Sequence, residues 1–195
     1  MSDRPRVGVL AIQGDVAAHA RALAQAGAVA AEVRVEKDLG GLDALVLPGG
    51  ESTTISKGMV RLGLYEPIRA FARAGHPVLG TCAGAILLAR RVENRPVETL
   101  DLLDATAIRN AYGTQVDSFA APADAGAAPG FEGLRCIFIR APRLSRLGPN
   151  VRVLVRVDGE PVLVQEGHLL AATFHPELTP DPRVHAHLLS LVRRS

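Results

Sequence analysis

Short apolar runs alternate with stretches of helical period through the first half of the chain. Residues 6–12, RVGVLAI, are almost continuously apolar, the pattern of a strand buried on both faces. Gln13-Gly14-Asp15 interrupts it, and residues 16–27, VAAHARALAQAG, then follow a helical period closed by Gly27. AEVRV (31–35) reads as a second strand and DALVLPGG (43–50) as a third, stopped by Pro48 and two glycines. The spacing predicts a helix over 53–62, with Ser52 or Thr53 as its N-cap, and another over 65–75 ended by Gly75. PVLGT (77–81) is a fourth strand, and AGAILLARR (83–91) the helix after it. Strand–helix alternation at this spacing predicts a parallel sheet with helices on both faces.

The second half has a different rhythm. LLDATAI, TQVDSFA, RCIFIRA, VRVLVRV, PVLVQEG and HLLAATF are strand patterns with little room between them for helices. They predict antiparallel or mixed additions to the sheet. RVHAHLLSLVRR (183–194) reads as a closing helix, and the small, Gly- and Pro-rich stretch 120–133 as a surface loop. There is no internal repeat and no linker pattern. The expectation is one domain over 1–195, an α/β fold of three layers with a mostly parallel central sheet and antiparallel additions.

Composition narrows the function classes. The chain has 195 residues, 48% apolar and 22% charged, which suffices for a substantial core. Net charge is +2, and Lys37 and Lys57 are the only lysines among 22 basic residues. The arginines are spread rather than clustered, so nothing argues for nucleic acid. No apolar stretch approaches the ~20 residues that span a bilayer, and the N-terminus lacks a secretory pattern. Cys82 and Cys136 therefore read as free thiols of a cytoplasmic protein, Cys136 as core within the alternating RCIFIRA. His185 and His187 lie two apart in a predicted helix, point to different faces, and read as solvated rather than metal-binding.

Three stretches carry candidate chemistry. GTCAG (80–84) places Cys82 where a buried strand turns into a helix. A nucleophile in such a turn takes a strained backbone, and its neighbours two residues away must be tiny. The following helix would direct its positive end at the sulfur, with the Ala83 N–H placed for an oxyanion. From the pattern alone, a small buried cysteine between packing glycines fits equally. TFHPEL holds His175 and Glu177; Pro176 favours extended backbone, in which residues i and i+2 share a face. A carboxylate beside an imidazole fixes its tautomer, although a surface His–Glu pair has the same spacing. LPGGES (47–52) offers backbone N–H groups to an anion, or is simply a tight turn. It and GTCAG both follow parallel-type strands and should open on one edge of the sheet. His19, His76 and His168 show no orienting partner.

VGVLAIQGDV, LVLPGGESTTI, PVLGTCAGAILLA, RNAYGTQVDSF, FIRAP and TFHPELTPDPRVH together resemble the class I, triad-type glutamine amidotransferases, end to end. Within them the chain is most similar to the glutaminase subunits of pyridoxal 5′-phosphate synthase. The resemblance implies a flavodoxin-like α/β fold and hydrolysis of L-glutamine to glutamate and ammonia through a thioester. It makes Cys82 the nucleophile, His175 the general base and Glu177 its orienting acid. It assigns Gly50, Glu51 and Ser52 to the glutamine-holding loop, and Arg109, Ile139 and Arg140 to substrate contacts. Gln13 matches a loop residue that responds to the synthase partner and helps complete the oxyanion hole. Ala85 stands where a larger aliphatic side chain is expected. The resemblance further implies no metal or organic cofactor, ammonia passed to a separate synthase (lyase) subunit, and a large ring-shaped hetero-oligomer. A glutaminase serving another synthase, or a non-enzymatic module on the same fold, would share parts of this pattern.

Overall fold

The computed structural model describes residues 4–109, 118–124 and 126–193. β1 (Arg6–Leu10), β2 (Val29–Val33), β3 (Ala44–Leu47), β4 (Val78–Thr81), β10 (Arg152–Val157), β11 (Glu160–Glu166) and β12 (Leu169–Ala172) form one seven-stranded sheet, ordered β10-β11-β12-β4-β3-β1-β2. β12, β4, β3, β1 and β2 run parallel, and β10 and β11 add antiparallel pairs at one edge. The apolar runs 44–47 and 78–81 become two adjacent inner strands, buried along their whole length.

Alternate residues of these strands feed two separate cores. Leu45, Leu47, Val78 and Ala171 join one cluster; Val46, Leu79, Leu170 and Ala172 join the other. Period-two alternation of side chains makes the sheet the wall between them. Each fully buried Leu contributes about 2 kcal/mol of apolar transfer. The first core also takes residues of α2 (Ser52–Arg61), α3 (Tyr65–Arg73) and α4 (Ala83–Leu88). The second takes Leu23 of α1 (Val16–Gln25) and Val184 and Leu188 of α5 (Arg183–Ser190). Helices thus cover both faces, as the alternation predicted. No described helix is long and apolar enough to cross a membrane.

The sequence-based reading needs four corrections here. The expected helix 83–91 stops at Leu88, and β5 (Ala89–Glu93) follows, pairing with β6 (Leu103–Ile108). Arg90 and Arg91 bond Asp101 and Thr106 beside that ladder, a tertiary pairing that overrides the high local helix propensity of Ala89, Arg90 and Arg91. Second, not every late strand joins the main sheet. β5, β6 and β9 (Arg143–Ser145) form a separate three-stranded sheet, and β7 (Ser118–Pro122) pairs with β8 (Arg135–Ile139) in a two-stranded one.

Third, α2 is capped by Glu51, not by Ser52 or Thr53. Its carboxylate accepts from the N–H groups of Thr53 and Thr54 at 3.1 and 2.7 Å, which also favours the helix dipole. Fourth, 120–133 is more than a surface loop. Asp124 and Ala128 donate to Arg156 and Leu154 of β10, and Phe131 is buried. The expected strand TQVDSFA is observed only from Ser118; its first residues, 114–117, lie outside the described residues.

Candidate active site

β4 ends at Thr81, and Cys82 takes φ 49°, ψ −105° before α4 begins. This positive φ is costly for a residue with a side chain and persists only where the surroundings enforce it. The enforcement is visible. Cys82 N–H donates to Ala172 of β12 at 2.8 Å, fixing the turn to the neighbouring strand. A Cβ at Gly80 would stand 2.5 Å from the Gly84 carbonyl carbon, and one at Gly84 only 1.9 Å from the Leu47 carbonyl oxygen. The flanking glycines of GTCAG are therefore required by the turn and by the seating of α4 on β3. Cys82 is 6% exposed, and its Sγ lies 3.7 Å from the Ile139 carbonyl oxygen.

His175 reaches the same place from the end of β12. Its N–H donates to Ile137 of β8 at 2.8 Å. The backbone is not the extended chain expected from Pro176: a 3-10 turn, Pro176–Leu178, begins at once. That turn brings the Glu177 carboxylate round to His175, with Nδ1 to Oε1 at 2.7 Å. Proline suits the first turn of a helix as readily as an extended segment, which is why the local bias did not decide the geometry.

The imidazole bridges carboxylate and sulfur. Burial works against the imidazolium, but hydrogen bonds with the Cys82 and Glu177 side chains outweigh it and push His175 up to about 10. Glu177 is buried too, which raises a carboxyl; its hydrogen bond to His175 and the nearby imidazoles carry it below its usual value instead. At neutral pH the preferred state pairs an imidazolium with a carboxylate on one side and the sulfur on the other. Cys136, by contrast, is fully buried, and desolvation raises its thiol to about 12, the core role expected of it.

Cys82 and His175 line a cavity of about 330 Å³. Cys82, Ala83, Ile86 and His175 line its base; Gly50, Glu51 and Ser52 form one wall, Ile139 and Arg140 another. Gln13 and Gly14 contribute to its rim. A Cβ at Gly49 would lie 2.4 Å from His175 Cε1 and 3.2 Å from Cys82 Cβ, so only glycine lets the β3 turn approach them. Glu51 N–H donates to Gln13 Oε1 at 2.8 Å, tying the two loops together. Arg109 is buried and held by the Arg95 carbonyl, Thr53 Oγ1 and Glu51 Oε1 at 2.9, 3.2 and 3.1 Å. Burial raises a carboxyl, yet the donors from Thr53 and Thr54 hold Glu51 below the usual range. Every sequence-predicted site residue but Glu177 lines this cavity, and Glu177 stands behind His175. The remainder of RNAYGTQVD, residues 110–117, lies outside the described residues.

A sequence model described as the SNO glutamine amidotransferase family matches residues 9–194. The chain belongs to that family. The pyridoxal 5′-phosphate synthase subunit PdxT of Acidothermus cellulolyticus is 51% identical, over 98% of this chain and 95% of that protein. The PdxT of Desulforudis audaxviator is 46% identical, over 96% and 98%. A solved structure of a glutamine amidotransferase is 46% identical with a TM-score of 0.89, covering 95% of this chain and 98% of its own.

Against that family frame, two buried residues stand out that sequence reasoning set aside. His19 on α1 and His185 on α5 are both fully buried, His185 contrary to its expected solvated position. His19 Nδ1 lies 3.0 Å from His185 Nε2, and His19 Nε2 lies 3.5 Å from Glu177 Oε2. The signal was periodic. His19 falls on the α1 stripe with Ala22 and Leu23, three and four residues on, and His185 on the α5 stripe with Val184 and Leu188. A histidine on an apolar stripe is buried with its helix face.

Proposed function

We propose that Cys82, His175 and Glu177 form the triad of a glutaminase that converts L-glutamine to glutamate and ammonia. The observation that carries the reading is the His175 imidazole, joined to the Glu177 carboxylate and the Cys82 side chain at the floor of the cavity. His175, already carrying its proton as an imidazolium, faces the Cys82 sulfur as that sulfur attacks the side-chain amide carbon. The oxyanion forms beside the Ala83 N–H and the Gly50 turn. The imidazolium gives its proton to the departing nitrogen, so ammonia leaves and a γ-glutamyl thioester remains. His175 then draws a proton from water, which cleaves the thioester and releases glutamate. Arg109 supplies the positive charge that a glutamine α-carboxylate requires, with Gly50, Glu51, Ser52, Ile139 and Arg140 as further substrate contacts.

The relatives are named as subunits of pyridoxal 5′-phosphate synthase, which supports extending the reading to the glutaminase subunit of that enzyme. The large hetero-oligomer with a separate synthase subunit is what the sequence resemblance implies. Passing ammonia directly to a partner avoids its protonation in water. A cytoplasmic location suits such an enzyme, since both cysteines are free thiols. The test is glutamate release with and without the synthase subunit. Release should rise with the partner, and Cys82→Ala should abolish it. Undiminished release by Cys82→Ala would refute the triad, and stimulation by a different synthase would move the enzyme to another pathway.

A further inference from the structure

The outer oxygen of the proposed triad carboxylate has one neighbour of consequence. Glu177 Oε1 is taken by His175, whereas Oε2 is buried without a formed hydrogen bond and faces His19 Nε2 at 3.5 Å. The same nitrogen is 3.3 Å from Thr81 Oγ1, on the residue before Cys82. Behind it, His19 Nδ1 meets His185 Nε2 at 3.0 Å, and His185 Nδ1 is buried without a partner. Four elements thus meet around one imidazole: α1, α5, β4 and the 3-10 turn of Glu177.

The proton positions follow from what each nitrogen faces. Burial, the largest influence, lowers the pKa of His19 and takes His185 down to about 3, so both rings are neutral. One proton then lies between them. Were His19 the donor, its Nε2 lone pair would face the Glu177 carboxylate, and His185 would bury an unpaired N–H at Nδ1. With His185 as donor, His19 carries its proton at Nε2, towards Glu177 Oε2 and Thr81 Oγ1. Only a lone pair on His185 Nδ1 then lacks a partner, the less costly orphan.

Resting on the triad reading above, we infer that His19 is a positioning residue for hydrolysis. Its Nε2–H holds the outer carboxylate oxygen of Glu177, and His185 fixes the tautomer that allows this. Held at one oxygen only, the carboxylate could swing and carry the His175 ring off the sulfur. Held at both, it keeps that ring aligned. The 3.5 Å separation is long for a resting hydrogen bond, and catalytic contacts of this kind tighten as charge develops.

The amide of a glutamine side chain reaches the position of a histidine Nε2, whereas that of asparagine reaches only Nδ1. His19→Asn therefore keeps a partner for His185 and loses the donor to Glu177; His19→Gln keeps that donor. With the full chain and the synthase subunit, His19→Asn should lower kcat about 10- to 100-fold, the worth of one hydrogen bond to a charged group, with KM for glutamine little changed. His19→Gln should recover most of the loss. Equal kcat in the three folded proteins, or a loss confined to KM, would overturn the assignment. Nitrogen-15 spectra of the unmodified protein give a second reading, decisive even if His19→Asn does not fold. His19 should be protonated at Nε2, and protonation at Nδ1 overturns the proposal. A Cys82→Ala control separates the two levels. If it stays active, the triad reading fails; if it is dead while His19→Asn matches the unmodified protein, only the role of His19 fails.

Discussion

At the scale of single residues, the site works through what one imidazole touches. Burial alone would make His175 a weak base, as it does His19 and His185. The difference is the sulfur on one side and the carboxylate on the other. Cys82→Ala removes the first, so the His175 ring should titrate well below about 10 in that variant, as followed by NMR of the ring protons. The same shift sets a stability trend. A histidine whose folded pKa is raised contributes stability that is complete below its ordinary value near 6.5 and is lost as pH climbs through about 10. The melting temperature of the unmodified protein should therefore fall across that window, and fall less steeply for Cys82→Ala. An identical slope in both would show that the sulfur is not what raises His175.

At the scale of elements, the glycines divide into those that shape the site and those that hold an element in place. Gly49 belongs to the first kind, because its missing side chain leaves room for His175 and Cys82. Gly84 belongs to the second, since a methyl there would meet the backbone oxygen of Leu47 at 1.9 Å. Gly49→Ala should keep most of its thermal stability and lose most of its glutaminase activity, because the His175 ring can yield and strand β3 need not. Gly84→Ala should unfold more easily, by about 1–3 kcal/mol or more, because α4 must lift off β3. Melting curves beside initial rates separate the two, and a stable, active Gly84→Ala would deny that the contact positions α4. The elements themselves were legible where a run was long and apolar, as in 6–12, 43–50 and 77–81. They were misread where pairing partners lie far away. Ala89–Glu93 continues AGAILL without a break in the sequence, and only the ladder to Leu103–Ile108 makes it a strand. The i, i+2 relation of His175 and Glu177 was correctly read as a contact, but a 3-10 turn rather than an extended strand produces it.

At the scale of the whole molecule, the candidate site has a buried floor and an open rim. Cys82, Arg109 and Glu177 are buried, whereas Gln13, Gly14, Gly50, Glu51 and Arg140 are exposed. The floor was readable because parallel strands place their following turns on one edge, so GTCAG and LPGGES had to meet. The His19–His185 pair was not, because it depends on α1 and α5 packing on one face of the sheet from opposite ends of the chain. On the proposed function, a partner subunit would act at this rim. Gln13 accepts from the Glu51 N–H, so a partner pressing on the 13–15 loop changes the backbone that would receive an oxyanion. Gln13→Ala cuts that tie. It should shrink the ratio of glutamate release with and without the synthase subunit, by about tenfold if the loop helps place one oxyanion donor. The comparison is made at saturating partner, so that weakened association does not imitate the effect. An unchanged ratio would mean that stimulation reaches Cys82 by a route that bypasses the rim, and would leave Gln13 as a surface contact only.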